Sequence, residues 1–484
     1  MTAYLAIDLG TTGCRSIVFN QSLDPIASSY EEYPLETPKE KWAEQDAELW
    51  WTLTLRTAKA AIAASGMSGK EIAGISVSSQ GITVVPVDEH CAPLRRALSW
   101  LDVRAEEQTA RVSRLVGDEE IFRLTGKPLS ATYTLPKVLW LKDNEPDVYA
   151  RAHKLLMPME FLVARLTGRY VTDYSMASGT LLYDLKAQEW SKEILDLFAI
   201  DVQKLPSVAR AGESAGRVLP AVAEALDLSP DCAVAVGAQD QKCAALGAGL
   251  SEGVMTVSLG TAAAVTKLWR EAKTEENKGV GWCGYVEKDA FVTEGVIGTA
   301  GTCLRWVRDL LFAGEDYATV DAEAEAARER GSSLLFHPYM NGPTSPDYYP
   351  DSMGNFYGVS LATARGDLAL AVMEGIAFQL RTVLTAMEAY GNVHTLILFG
   401  GGAKSTLWCR IIADVTGLPV HVPATPEAAG AGAAMLAARA AGVSLAPLRI
   451  AHTYAPTAHA KDYEKKYERF RSVEKRLWSK EERA

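Results

Sequence analysis

A chain of 484 residues exceeds the roughly 250–300 at which one hydrophobic core stops growing, so two domains are expected; 48% apolar and 23% charged residues confine disorder to the end. A formal net charge of −11 excludes a surface built for nucleic acid or an anionic membrane, because phosphate backbones reward clustered Lys and Arg. Seven cysteines, an odd number without a C-x-x-C pair, exclude a disulfide framework and a thiolate zinc site.

The chain opens directly into Tyr4-Leu5-Ala6-Ile7 and carries no uninterrupted apolar span of bilayer length, so a cytoplasmic location with no membrane partner is expected. The first strand runs through Ile7-Asp8-Leu9 into Gly10-Thr11-Thr12, and a second apolar strand, 16–19, leaves it. Glycine lets main-chain N–H groups approach an anion, and the threonine hydroxyls add donors, so Gly10, Thr11 and Thr12 are expected to grip phosphate. Asp8, at the strand end, would project beside that phosphate and suits Mg²⁺, which needs only one or two protein carboxylates.

Asp46 is expected to cap a helix reaching about residue 65. Strands follow at 72–78, 83–87 and 97–101, then helices at 135–142, 149–154 and 159–167, an alternation typical of α/β folds. Gln80, Gly81, Trp100, Asp102 and Arg104 fall where these strands end. Together they suit a polyhydroxylated substrate beside an aromatic face; singly, each also reads as a surface or salt-bridge residue. An apolar strand at 232–237 ends at Ala238-Gln239-Asp240, where a helix at 241–247 begins. Asp240 is there either an N-cap or a rigidly held general base for an attacking hydroxyl in phosphoryl transfer. The domain boundary is placed at 250, giving 1–250 as the sugar, first-hairpin and base domain and 251–484 as the nucleotide domain.

The second half repeats the glycine turn as Val257-Ser258-Leu259-Gly260-Thr261-Ala262, with a strand at 263–266 after it. One such turn is ordinary hairpin geometry, but two in matching contexts imply paired phosphate grips, Gly260 and Thr261 serving the second. Further elements are a strand at 292–297, helices at 302–311 and 318–330, a strand at 334–338, a helix at 368–390 and a strand at 395–399. That strand enters Gly400-Gly401-Gly402-Ala403-Lys404-Ser405, where consecutive glycines let a flat base approach, or act as a hinge or packing concession. The run Pro426 to Gly432 reads as close helix packing, and the last twenty residues as a solvated amphipathic helix. The seven histidines show no metal spacing.

Asp8-Leu9-Gly10-Thr11-Thr12, Trp42-Ala43-Glu44-Gln45-Asp46 with Trp50-Trp51, Gly237-Ala238-Gln239-Asp240, Ser258-Leu259-Gly260-Thr261, Glu374-Gly375 and Phe399-Gly400-Gly401-Gly402-Ala403 occur in this order along nearly the whole chain. Together they resemble the FGGY carbohydrate kinases, the xylulokinases among them. The resemblance implies an α/β fold of two ribonuclease H-like, actin-type ATPase domains with ATP and sugar meeting in a central interdomain cleft. It implies Asp240 as catalytic base, Asp8 serving Mg²⁺, and Gly401 and Gly402, with Ser405, bordering adenosine. The expected reaction is ATP-dependent phosphorylation of a terminal hydroxyl on a ketopentose such as D-xylulose, or on another ketose, polyol or sugar acid. A nucleotide-gated binding module of the actin kind is the alternative from another class, and a homodimer is left open. Two departures bear on the sugar: Gln80-Gly81-Ile82-Thr83 stands where xylulokinases have Gln-Met-His-Gly, and Gly342-Pro343-Thr344-Ser345-Pro346 replaces their Gly-Glu-Arg-Thr-Pro.

Overall fold

In the computed structural model the described residues are 2–275, 280–342, 345–347, 349–388 and 393–479, and they form two compact units. Pro343 and Thr344 of the second departure, the end of the helix expected at 368–390 and the last five residues lie outside them. One unit takes residues 1–248 with 269–292 and 427–448; the other takes 249–268, 293–426 and 449–484. The two later segments of the first unit are what a single cut at 250 does not provide for.

The sheet of the first unit is laid down by β1 (Ala3–Leu9), β2 (Gly13–Phe19), β3 (Pro25–Glu32), β4 (Ile72–Ser79), β5 (Ser214–Arg217), β6 (Ala233–Ala235) and β7 (Ala238–Gln239). Its order is β5-β6-β4-β1-β2-β3, with β7 also paired to β4. β1, β2 and β3 form an antiparallel meander, while β1–β4 and β4–β6 are parallel. β1 is buried except at Asp8, as a central strand covered on both faces must be, and β3 alternates exposed and half-buried residues as a strand with one wet face does. Asp46 caps helix Ala47–Ala64 by accepting the Glu48 N–H at 3.0 Å.

The second unit repeats the plan with β8 (Val254–Leu259), β9 (Ala263–Trp269), β10 (Phe291–Ile297), β11 (Thr395–Phe399), β12 (Val420–Pro423) and β13 (Ile450–Tyr454), in the order β10-β9-β8-β11-β12-β13. β8–β9 is antiparallel, β8–β11 and β11–β12 are parallel, and β12–β13 is antiparallel. The duplicated turns therefore occupy the same topological position, the tip of the first hairpin beside the first parallel crossover. Helix Arg365–Met387 is long and apolar enough by composition to cross a bilayer, but it is interrupted by Asp367, Glu374 and Arg381, and 83% of its most apolar window is buried inside the protein. It serves as a core helix here.

Helix Ala428–Ala440 packs against β4, β1 and helix Asp240–Ala248 of the first unit. A Cβ on Gly432 would stand 1.9 Å from the Cys243 carbonyl oxygen, and one on Gly247 2.1 Å from that of Ala428, so the helices touch through backbone. This is the close packing read from the Pro426 to Gly432 run. Two local expectations shift. The strand at 97–101 stops at Leu98 because Asp102 N–H turns back to the Ser99 carbonyl, and the helix at 149–154 ends at Arg151, Lys154 starting a strand on 85–87.

Glu160, in helix Pro158–Thr167, is fully buried, and burial pushes its carboxyl up to about 8. The folded protein therefore binds a proton there that the unfolded chain releases, so stability declines as pH rises from about 4.5 to 8. Glu160→Gln is expected to flatten that decline in urea unfolding measured across this range.

Candidate functional site

Neither Gly10 nor Gly260 has a left-handed φ, and a Cβ on either would meet nothing closer than 3.7 Å. The fold does not demand glycine at these two positions; its effect is to leave open space over the turn. The carbonyls of both turns are tied down within their own units. Gly10 C=O accepts the Tyr33 hydroxyl, and Thr11 C=O accepts Gln45 Nε2 at 2.8 Å. In the second unit Gly260 C=O accepts Gly301 N–H at 2.9 Å, and Thr261 C=O accepts the N–H groups of Ala300 and Thr302 at 2.9 and 3.2 Å. In a trans peptide a carbonyl and the following N–H point to opposite sides. Anchoring two consecutive carbonyls inward thus turns the next two N–H groups, of Thr11 and Thr12 and of Thr261 and Ala262, the other way. Such concave amide pairs suit anions.

Asp8, on β1 just before the first turn, is partly accessible and accepts the Ser78 hydroxyl at 3.1 Å from its β4 neighbour. Burial pushes its carboxyl up to about 6, opposed by the Ser78 hydroxyl and by Arg15, its cross-strand partner, which ion-pairs with Glu427 at 2.7 Å. No group of three or more His, Cys, Asp or Glu that could hold a metal occurs among the described residues. A single carboxylate at a strand end fits the partly hydrated coordination of Mg²⁺ rather than a dedicated cage.

Asp240 is the first residue of its helix, half-buried, at the end of β7 beside β4. Its Oδ1 accepts the Gln241 N–H at 2.7 Å and the side-chain amide of Gln239. Asp240, Asp8 and Asp173 all act on the Cys243 thiol, so the same part of the unit holds three carboxylates.

Gln80 follows β4, is 3% exposed, and donates through Nε2 to Gln45 Oε1 at 2.8 Å, while its Oε1 has no hydrogen-bond partner. A buried acceptor without a donor is costly. Gly81 is next to Gln239, and Ile82 sits at φ 51°, a left-handed conformation that β-branched residues rarely adopt. Trp100, 37% exposed, donates its indole N–H to the Thr11 hydroxyl at 2.8 Å, so Trp100 and the first glycine turn are one assembly. Asp102 and Arg104 are spent on each other: their ion pair is 2.7 Å long, Asp102 also accepts Ala43 N–H, and Arg104 lies 3.5 Å over the Trp42 ring and bonds Glu44. That is the salt-bridge alternative for these two.

Sequence periodicity gave no hint of Tyr33 or Lys137, and Gln45 entered only within the Trp42 to Asp46 motif. The Lys137 ammonium is fully buried and donates to three carbonyls, of Ile82, Ser99 and Thr132, at 3.4, 2.6 and 2.5 Å. Burial pulls it down to about 7, while Asp102 pushes it back up.

In the second unit the three glycines separate by physics. Gly400 has φ 94° and abuts the Leu259 carbonyl, a Cβ on Gly402 would strike the Leu259 side chain at 2.5 Å, and Gly401 faces open space. The first two are packing concessions and Gly401 is the open surface. Ser405 caps helix Thr406–Thr416 through Trp408 N–H at 3.0 Å.

Residues 3–247 match the N-terminal domain of the FGGY family of carbohydrate kinases, and residues 255–441 match its C-terminal domain. The xylulose kinase of Bacillus subtilis strain 168 is 33% identical over 445 residues, covering 91% of this chain and 89% of its own. The gluconokinase of the same strain is 29% identical over 456 residues, covering 91% and 88%. The crystal structure of xylulose kinase from Lactobacillus acidophilus has a TM-score of 0.90 at 24% identity, covering 99% of this chain and 98% of that one.

Proposed function

Because the chain belongs to the FGGY family of carbohydrate kinases, phosphotransferases that use ATP on a sugar hydroxyl, we propose that it transfers the γ-phosphoryl group of ATP to a terminal hydroxyl of a ketopentose such as D-xylulose. The observation that carries the reading is Asp240 held at a helix start beside Gln239 and the 80–83 loop, in one unit with Trp100. Asp240 takes the proton of the attacking hydroxyl; phosphoryl transfer asks little more of the protein than this, positioning and charge stabilisation.

Gln80 and Trp100 orient the acceptor, Gln80 through its unpartnered Oε1. The turn N–H groups of Thr11 and Thr12 receive the transferred phosphate, those of Thr261 and Ala262 the remaining phosphates, and Gly401, Gly402 and Ser405 border adenosine. Mg²⁺, held through Asp8 and water, would neutralise phosphate charge. The reaction is placed in the cytoplasm, in keeping with seven buried free cysteines.

Ile82 in the acceptor loop offers no polar side chain, so the sugar is the point to test. A coupled assay against D-xylulose, ribulose, erythritol, glycerol, gluconate and deoxyketoses is expected to rank D-xylulose first by kcat/KM. A gluconate preference would move the chain toward the sugar-acid kinases that it also resembles.

A further inference from the structure

A general base works only if its carboxylate is aimed, and two bonds rotate between an aspartate backbone and its oxygens. We propose that Gln239, locked in place by Ser175, is a positioning residue that fixes the carboxylate of Asp240; this rests on the reading of Asp240 as the base. The Gln239 amide is a fork across the helix start. Its Nε2 donates to Asp240 Oδ1, and its Oε1 accepts the Gln241 N–H at 3.1 Å, the same N–H that stands 2.7 Å from Asp240 Oδ1. With Oδ1 held by two N–H donors, the plane of the carboxylate is set and Oδ1 becomes the poorer proton acceptor.

The fork is anchored from behind. The Gln239 backbone N–H donates to Ser175 Oγ at 3.0 Å, and Ser175 Oγ donates to Asp173 Oδ1 at 3.0 Å. Asp173 also accepts the backbone N–H groups of Ser175 and Met176 at 3.0 and 2.9 Å, capping helix Tyr174–Ala177. Ser175 is 3% exposed and Asp173 is fully buried, so the anchor is rigid and dry. On the other side, a Cβ at Gly81 would stand 3.3 Å from Gln239 Cγ, which places this side chain against the acceptor loop. Gln239 therefore links the fixed core, the base and the loop that would hold the sugar.

The test uses the full-length protein with Asp240→Asn, Gln239→Ala, Ser175→Ala and the two double variants that carry D240N. Misplacing a catalytic group by about 1 Å costs about 10²-fold in rate, so Q239A and S175A are expected to lower kcat by about 10- to 100-fold. KM for ATP and for sugar should stay within about threefold, and neither change should lower kcat further in the D240N background. Ser175→Thr, which keeps the hydroxyl, is expected to restore most of the rate. Full kcat in Q239A and S175A beside an inactive D240N overturns the positioning role and leaves the base in place; so do losses that add to D240N. A fully active D240N overturns the base itself. If S175A fails to fold, half-exposed Gln239 carries the same comparison.

Discussion

Asp240→Asn should bind ATP with an unchanged Kd and lose sugar phosphorylation by about 10²–10⁴-fold in kcat, the range in which a positioned general base contributes. The substitution is nearly isosteric, and its side-chain oxygen can still accept the Gln241 N–H now bonded at 2.7 Å, so the helix start should survive. What disappears is the capacity to take a proton from the acceptor hydroxyl. Titration calorimetry for ATP and a single-turnover assay with saturating sugar separate binding from chemistry. Turnover within about tenfold of the parent protein would remove Asp240 from the mechanism.

Lys137→Met is expected to be the most damaging single change outside the reacting groups. One ammonium has three N–H donors, and all three are used on backbone carbonyls from three separate stretches, at Ile82, Ser99 and Thr132. Methionine fills similar volume and supplies none: Thr132 C=O loses its donor at about 1–3 kcal/mol, while Ser99 C=O keeps Asp102 N–H at 3.0 Å and Ile82 C=O keeps the Thr134 hydroxyl at 3.4 Å. Ile82 adds to this, because its left-handed backbone costs about 1–3 kcal/mol and persists only while its surroundings enforce it. Ser99 precedes Trp100, so loss of the tie should reach both the acceptor loop and the aromatic wall. A stability loss on the order of 3 kcal/mol in urea unfolding and an acceptor KM raised by about tenfold or more (about 1.4 kcal/mol per decade), with ATP affinity unchanged, are the expected pair of results. An unaltered acceptor KM would reduce Lys137 to a core residue without influence on the site.

How far the site was legible depends on whether its signal was local. The two Gly-Thr turns were readable because an apolar strand, a glycine and a second strand are contiguous, and both proved to sit at matching hairpin tips. Asp46 as a helix cap and Asp240 at a strand-to-helix junction were readable for the same reason. Tyr33 was not, since it reaches the first turn from an irregular segment, and Gln45 was legible only as part of the Trp42 to Asp46 motif, because its two-residue strand gives no period to read. The helix at 135–142 was legible but the role of Lys137 was not, because nothing in 3.6-residue spacing tells a lysine in water from one ringed by carbonyls. Asp102 and Arg104 were grouped with Trp100 by position along the chain, but spacing alone does not show that their charges satisfy each other. The return of 427–448 to the first unit is a long-range pairing whose sole local trace is the glycine spacing of Gly430 and Gly432.

The central claim is that ATP's terminal phosphoryl group goes to a sugar hydroxyl rather than to water. Following the label from [γ-³²P]ATP with Mg²⁺, with and without D-xylulose, measures this directly. The label is predicted to appear in a sugar phosphate ester only when acceptor is present, with slow release of inorganic phosphate in its absence. Rapid release of labelled phosphate at the same rate with or without any acceptor of the panel, and no ester, would contradict the account.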